Sequence, residues 1–303
     1  MNKGKIIVVG SSNTDMVIRT ERLPGPGETI LGGDFIMNPG GKGANQAVAA
    51  RRLGAKVAFV CRLGTDMFGD KAVNAYSEEG IDVSYISRDV NKSSGIALIT
   101  VDSHAENCIV VASGANASLS AADIDNAVKA VADSDIMLLQ LESPMETVEY
   151  AAKVAKGLGV KVILNPAPAP KEGIPDAVLE NVDLIIPNST EAEMLSGIHI
   201  TDYESASEAA KEISSKGISQ VIITLGAKGS LVFDNGEEAV VPSVKVKAVD
   251  TTAAGDTFCG AVAVALSEGK ALAEAAGFAA KASALTVTRM GAQPSIPYRD
   301  EII

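Results

Sequence analysis

Paired cysteines, clustered histidines, an excess of basic residues and long apolar runs are all missing from this chain, and each absence removes a class of function. The three cysteines, Cys61, Cys108 and Cys259, lie far apart in sequence. No CxxC motif or zinc-ligand spacing exists, and an odd, unframed set suits a reducing cytosol. The two histidines, His104 and His199, are isolated, which disfavours a histidine-based metal site or a Ser-His-Asp triad. The net charge of -12 argues against general binding to nucleic acid or to an anionic membrane. The apolar run after the first lysines, Ile6–Val9, is too short for a signal peptide, and no run approaches a membrane span. A cytoplasmic protein without nucleic-acid or membrane partners is expected.

What is present describes one large domain with a real core: 303 residues, 47% hydrophobic and 21% charged. Short apolar runs at Lys5–Gly10, Val57–Cys61, Ile136–Gln140, Val160–Leu164, Leu184–Ile186 and Val221–Leu225 read as buried strands. Helical patterns lie between them at Ala44–Leu53, Gly69–Glu79, Met145–Gly157 and Ser205–Lys216. Such alternation predicts an α/β fold, a three-layer sandwich with a mostly parallel central sheet. Two pairs of strand-like pieces stand outside it: Asp15–Thr20 with Asp34–Asn38, and Gly95–Asp102 with Asn107–Ala112 around a hairpin at Ser103–Glu106. These predict a small β-sheet lid, built from about 13–40 and 93–113, over one edge of a single domain covering 1–303. Ser230–Asp234 and Ala239–Val241 read as further strands. The chain closes with two Ala-rich helices, roughly Ala254–Glu268 and Leu272–Thr288.

Six segments carry chemistry. In Asp250–Phe258 (DTTAAGDTF), following the strand-like VKVKAV, Ala253, Ala254 and Gly255 leave backbone N–H groups uncovered at a helix start, a ready anion hole. Asp256 in the first turn is placed to take a proton from an attacking hydroxyl; an ordinary helix cap beside a tightly packed Gly255 would give the same pattern. Pro39–Ala47 (PGGKGANQA) lets backbone approach a ligand closely. It lacks Walker A spacing, and Asn45 in its first turn is a candidate for a sugar hydroxyl; a ligand-free Gly-rich helix start is the alternative. Past the first strand, Asn13 and Asp15 offer donors and acceptors for vicinal hydroxyls at the strand ends where open parallel sheets bind ligands, or form an Asx turn. Glu142 ends a strand on the same rim, or is a solvated strand end. Asn188 and Glu191 suit a phosphate oxygen and Mg²⁺-bound water, or a capping box. Thr224–Gly229 suits a turn lying against a flat nucleotide, and also a hairpin connection. Most of these follow strand-like runs, so they share one rim.

Taken together, GGKGANQA and DTTAAGDTF resemble the two signatures of the phosphofructokinase-B-type carbohydrate kinases, and the similarity runs from about Ile6 to Ile302. NTD, QLESP, LNPAPA, PNSTEAE, TLGAKG and VTRMGAQPS resemble segments of the branch of that family that phosphorylates ribose. The resemblance implies ATP-dependent transfer to O5 of D-ribose. Asp256 would be the base, and the N–H groups of Ala253, Ala254, Gly255 and Asp256 the anion hole. Asn13, Thr14, Asp15, Gly41, Lys42, Gly43, Ala44, Asn45 and Glu142 would surround the sugar. Asn188 and the run Thr224, Leu225, Gly226, Ala227, Lys228 and Gly229 would meet ATP, with Gly255 and Asp256 alongside, and Glu191 would help place Mg²⁺. A monovalent cation, K⁺, would sit among Asp250, Thr252, Thr286, Arg289, Gly291 and Ser295. A homodimer through the lid is also implied. Ala280 departs from the family, where a polar residue often stands near the adenine. Related activities on 2-deoxyribose or another sugar stay open. A phosphosugar is disfavoured because only Lys42 and Arg19 flank the sugar segments. A non-catalytic sugar-binding regulator would be expected to have lost Asp256, and a dehydrogenase would need a G-x-G-x-x-G after the first strand.

Overall fold

The computed structural model describes residues 4–104 and 106–302. The lysine-bearing start at 1–3 and residue 105 of the expected hairpin tip lie outside the described residues. The main sheet is built around β1 (Lys5–Val9). One neighbour is β4 (Lys56–Gly64), followed by the edge strand β5 (Ile86–Asp89). On the other side stand β8 (Ile136–Leu139), β9 (Lys161–Leu164), β10 (Leu184–Ile185), β11 (Gln220–Thr224), β12 (Ser230–Asp234) and β13 (Glu237–Val241). The pairs from β5 to β11 are parallel, and β12 and β13 add an antiparallel edge. Chain order reverses around β1: the chain runs first through β4 to β5 and later returns to β8. Crevices at such a reversal, at the carboxyl ends of strands, are where open α/β sheets bind ligands.

The strands bury both faces, which is why they read as unbroken apolar runs. In β1, Ile6 and Val8 enter one core with the helices Lys42–Arg52, Ala254–Ser267 and Leu272–Thr286. Ile7 and Val9 enter the other with Met145–Gly157 and Tyr203–Ser215. The helix Lys42–Arg52 packs very closely on Ala254–Ser267. A Cβ at Gly260 would stand 2.7 Å from Ala49 Cβ and 3.0 Å from the Ala50 nitrogen, so only a bare backbone permits this spacing.

The second, four-stranded sheet has the order β3-β2-β6-β7, with β2 at Asn13–Arg19, β3 at Phe35–Gly40, β6 at Gly95–Val101 and β7 at Asn107–Ala112. This is the small separate sheet expected from the sequence. Asn13 begins β2, paired with Gly40 and Gly95, so the Asn13–Asp15 segment is strand rather than an Asx turn. Pro39 is tolerated because β3 is an edge strand.

Three expectations need correction. VKVKAV (244–249) is irregular rather than a strand. The short β5, ISRD, is too polar to announce itself. The first long helix starts at Lys42 rather than Ala44, with Gly41 (φ 89°) as its N-cap.

Candidate active site

The helix Ala254–Ser267 follows Ala253, which adopts a left-handed conformation (φ 59°) and offers no capping side chain. Among the described residues, no acceptor meets the N–H groups of Gly255 and Asp256, while Ala254 donates to Thr251 O at 3.3 Å. Free N–H groups at a helix start carry partial positive charge. Asp256 does not cap this helix. Its buried carboxylate points to the neighbouring helix, where Oδ2 accepts from Asn45 Nδ2 (2.8 Å) and Oδ1 from Gln46 Nε2 (3.1 Å). The cap alternative for Asp256 is therefore not what the structure adopts.

Asn45 and Gln46 reach Asp256 because Gly41 and Gly43 seat their helix against the turn after β1. A Cβ on Gly41 would lie 2.7 Å from the Asn13 nitrogen, and one on Gly43 2.6 Å from the Ser11 nitrogen. The same contact organises Glu142, whose Oε2 accepts from Ser11 Oγ (2.5 Å) and from the Lys42 backbone N–H (3.0 Å). Asn13 is fixed by Asn116, whose Nδ2 donates to Asn13 Oδ1 (2.8 Å), and Ser12 Oγ meets the Tyr76 hydroxyl at 2.6 Å. Strand alternation places Asn13 and Asp15 on one face and Thr14 on the other, so the Thr14 side chain does not share their pocket. Asn45 Oδ1 is buried without a partner among the described residues, an acceptor left for a ligand.

The electrostatics are dominated by crowded carboxylates. Burial first, then the negative charges of Glu142 and Asp256, raise the Asp15 carboxyl to about 6 against the pull of Lys42. Burial raises Asp256, opposed by Lys42 and by the Asn45 and Gln46 donors. Burial also raises Glu191. Burial works to lower the Lys42 ammonium, but Asp256, Glu142 and Glu191 outweigh it, so it stays charged.

On the far side of the bare helix start lies a cleft of about 580 Å³, within the range of small-ligand sites. It runs from Thr224, Gly226, Ala227 and Gly229 along the irregular stretch 243–248 to Ala254 and Gly255, with Phe258, Ala280 and Ala284 as apolar wall. Leu225 and Lys228 do not line it; Lys228 Nζ donates instead to Thr201 O (2.7 Å). Asn188 and Glu191 form the capping box that was the alternative for them: Asn188 N donates to Glu191 Oε2 and Glu191 N to Asn188 Oδ1, both at 2.9 Å. Glu191 is nonetheless near enough to Lys42 and Asp256 to feel their charges.

The proposed cation residues are partly assembled. Asp250 Oδ1 accepts from the Thr252 N–H (2.9 Å) and hydroxyl (2.7 Å), and Oδ2 from the Gly291 N–H (2.9 Å), tying the two segments together. Burial works to raise this carboxyl, but those donors hold it below its ordinary value. The side chains of Thr286, Arg289 and Ser295 are engaged elsewhere, with Thr257, Glu301 and Ala292 O respectively, leaving backbone carbonyls as what those positions offer.

Sequence reasoning missed Gln46, Gln140 and Asn165 around Asp256, and Ser11, Asn116 and Tyr76 behind the sugar segments. The signal available for Gln46 was a second amide directly after Asn45 within a run of small residues.

A pfkB family carbohydrate kinase model matches residues 3–299. The chain belongs to the pfkB family of carbohydrate kinases. It is 47% identical over 298 residues to a ribokinase of Haemophilus influenzae (98% of this chain, 97% of the other), and 37% identical to a deoxyribokinase of Salmonella typhi over 292 residues (96% and 95%). Among solved structures, an Arabidopsis thaliana ribokinase complexed with ribose and ATP superposes with a TM-score of 0.92 at 36% identity (99% and 97% covered). This pfkB kinase is thus an enzyme that phosphorylates a sugar, on a fold shared with ribokinases.

The raised Asp15 carboxyl has a stability consequence with a definite sign. Between its ordinary value of 3.8 and about 6, the folded protein binds this proton more readily than the unfolded chain. The group therefore costs stability as pH rises through that window. Asp15→Asn should raise the unfolding free energy at pH 7 by about 1–2 kcal/mol, discounted for residual solvent contact, with the gain gone near pH 3.5. Urea titrations at the two pH values measure this.

Proposed function

We propose that this kinase transfers the γ-phosphoryl group of ATP to O5 of D-ribose, giving ribose 5-phosphate. The observation that carries the reading is the buried Asp256 carboxylate, both oxygens oriented by amide donors, at a bare helix start between a polar pocket and an open cleft. Ribose in the pocket would be held by Asn13, Asp15, Asn45 and Glu142, with the backbone at Gly41 and Gly43 and the nearby Lys42 completing the wall. ATP would lie in the cleft along Thr224–Gly229. The Asp256 carboxylate takes the proton of the 5-hydroxyl as O5 attacks the γ-phosphorus. The bond to the β,γ-bridging oxygen breaks, and ADP leaves. The N–H groups of Ala253, Gly255 and Asp256 and the Lys42 ammonium meet the charge on the transferring group, the Ala254 N–H being engaged with Thr251 O. The relatives named above, and the sugar and nucleotide bound in the Arabidopsis structure, support the same pair of substrates.

Mg²⁺ suits a site where the metal is carried largely by phosphate oxygens and water, with Glu191 ordering that water. The Asp250 carboxylate, held ionised and drawn to Gly291, fits a hard monovalent cation ligated mainly by oxygen, with Thr252, Thr286, Arg289, Gly291 and Ser295 contributing through the backbone. Such a K⁺ would add positive field beside the anion hole. The small sheet (13–40 and 93–113) would cover the sugar and exclude water. Exposed Ile18, Phe35, Met37, Leu98 and Val110, which strand register places on one face of this sheet, form an apolar surface that a second copy would cover. The free cysteines and acidic surface suit a cytoplasmic setting.

A second reading, a 2-deoxyribose kinase, is favoured by the 37% identity to a deoxyribokinase.

Asp256→Asn should lower kcat by about 10³-fold while calorimetry still detects ribose binding; near-normal turnover removes Asp256 as the base. Exchanging K⁺ for choline at fixed ionic strength should lower kcat several-fold, and an indifferent enzyme removes the cation site. kcat/KM should be at least about 10²-fold higher for ribose than for 2-deoxyribose; equal or reversed values select the second reading.

A further inference from the structure

We propose that Gln46 is a positioning residue for the base, its orientation dictated by a chain of buried amides anchored on the backbone carbonyl of Ile186. The inference rests on Asp256 being the proton acceptor. An isolated amide can present either end to a neighbour; this one cannot. Asn165 Nδ2 donates to Ile186 O (2.9 Å), an oxygen that can only accept. Asn165 must therefore turn its own Oδ1 inward. Gln46 meets that oxygen with Nε2 (3.1 Å) and uses the second hydrogen of the same nitrogen for Asp256 Oδ1 (3.1 Å). Its Oε1 is left to accept from Gln140 Nε2 (2.7 Å). Flipping Gln46 would set oxygen against oxygen at both Asn165 and Asp256, and NH₂ against NH₂ at Gln140.

The chain sits out of water: Gln46 and Gln140 are fully buried and Asn165 is 8% exposed. Its members come from consecutive places in the main sheet. Gln140 follows β8, Asn165 follows β9 and Ile186 follows β10, so sheet register is carried directly to the carboxylate. Room is kept for it: a Cβ on Gly10 would lie 2.0 Å from Gln140 Oε1. That oxygen has no partner among the described residues, a cost consistent with the Gln140 NH₂ being needed at Gln46.

With Asn45 on the other oxygen, Gln46 holds the plane of the carboxylate and leaves one lone pair free on each oxygen. Both donors favour the ionised form. The charged or titratable groups facing Asp256 are Lys42 from its helix, Asp15 from β2, Glu142 after β8, Glu191 from its helix, and Cys259 one turn along its own. Of these only Lys42 opposes burial, so the loss of one amide donor should be felt.

The test is the pH dependence of kcat and kcat/KM for Gln46→Met and the isosteric Gln46→Glu, with Asp256→Asn in parallel. Gln46→Met should lower kcat about 10- to 100-fold, change the ribose KM less than about threefold, and move the acid limb of kcat/KM up by about one pH unit. Gln46→Glu, which adds a second carboxylate, should move it further. If neither folds, Gln140→Met, one amide removed from the base, should shift the limb in the same direction by less. An unmoved acid limb, or a kcat within about twofold of wild type, overturns the role of Gln46. That result with an inactive Asp256→Asn leaves the base assignment standing, whereas an active Asp256→Asn removes the base itself.

Discussion

The site depends on one close approach, that of the helix Lys42–Arg52 to the start of Ala254–Ser267. A buried carboxylate is unfavourable unless it is hydrogen-bonded and partly neutralised. Here the compensation comes from Asn45 and Gln46 and from the Lys42 ammonium, all on one helix. All of these act over a few ångströms and require the helices to cross with almost no side chain between them. Gly260 against Ala49 and Ala50 provides that crossing, one helical turn on from Asp256 on one helix and from Asn45 on the other.

The charge distribution is unusual for a protein that handles phosphates. Asp15, Glu142, Glu191 and Asp256 surround a single lysine, in a chain whose net charge is already -12. A nucleotide cannot be drawn in by side-chain charge alone. Backbone N–H groups do not repel carboxylates and cannot be titrated away. Under the proposed function the carboxylates would recognise sugar hydroxyls, which accounts for their concentration on one side of Asp256 and the apolar lining of the opposite cleft.

Much of the architecture was legible because it rests on local rules. Strands buried on both faces must read as continuous apolar runs, and β1, β8, β9 and β11 do. Asp256 was singled out by bare backbone at a helix start, but the same residues also spell an ordinary cap, and the structure decides against the cap. The amide chain was not legible. Gln46, Gln140 and Asn165 look like ordinary polar residues at a helix or strand end, and only the crossing of elements turns them inward. Asn188 and Glu191 were ambiguous for a different reason: a capping box and a phosphate-facing pair use the same residues, and the structure adopts the cap. Strand β5 escaped notice because four residues with one apolar position carry no period.

Asn45 and Asp256 are 211 positions apart and touch directly. The proposed proton acceptor and the amides that orient it therefore belong to a contact between the early and the late portions of the chain. During synthesis the first sheet strands and the glycine-rich helix must wait, their small-residue face uncovered, until the last two long helices emerge and dock. A chain halted before residue 256 therefore leaves Asn45 and Gln46 without the carboxylate they orient.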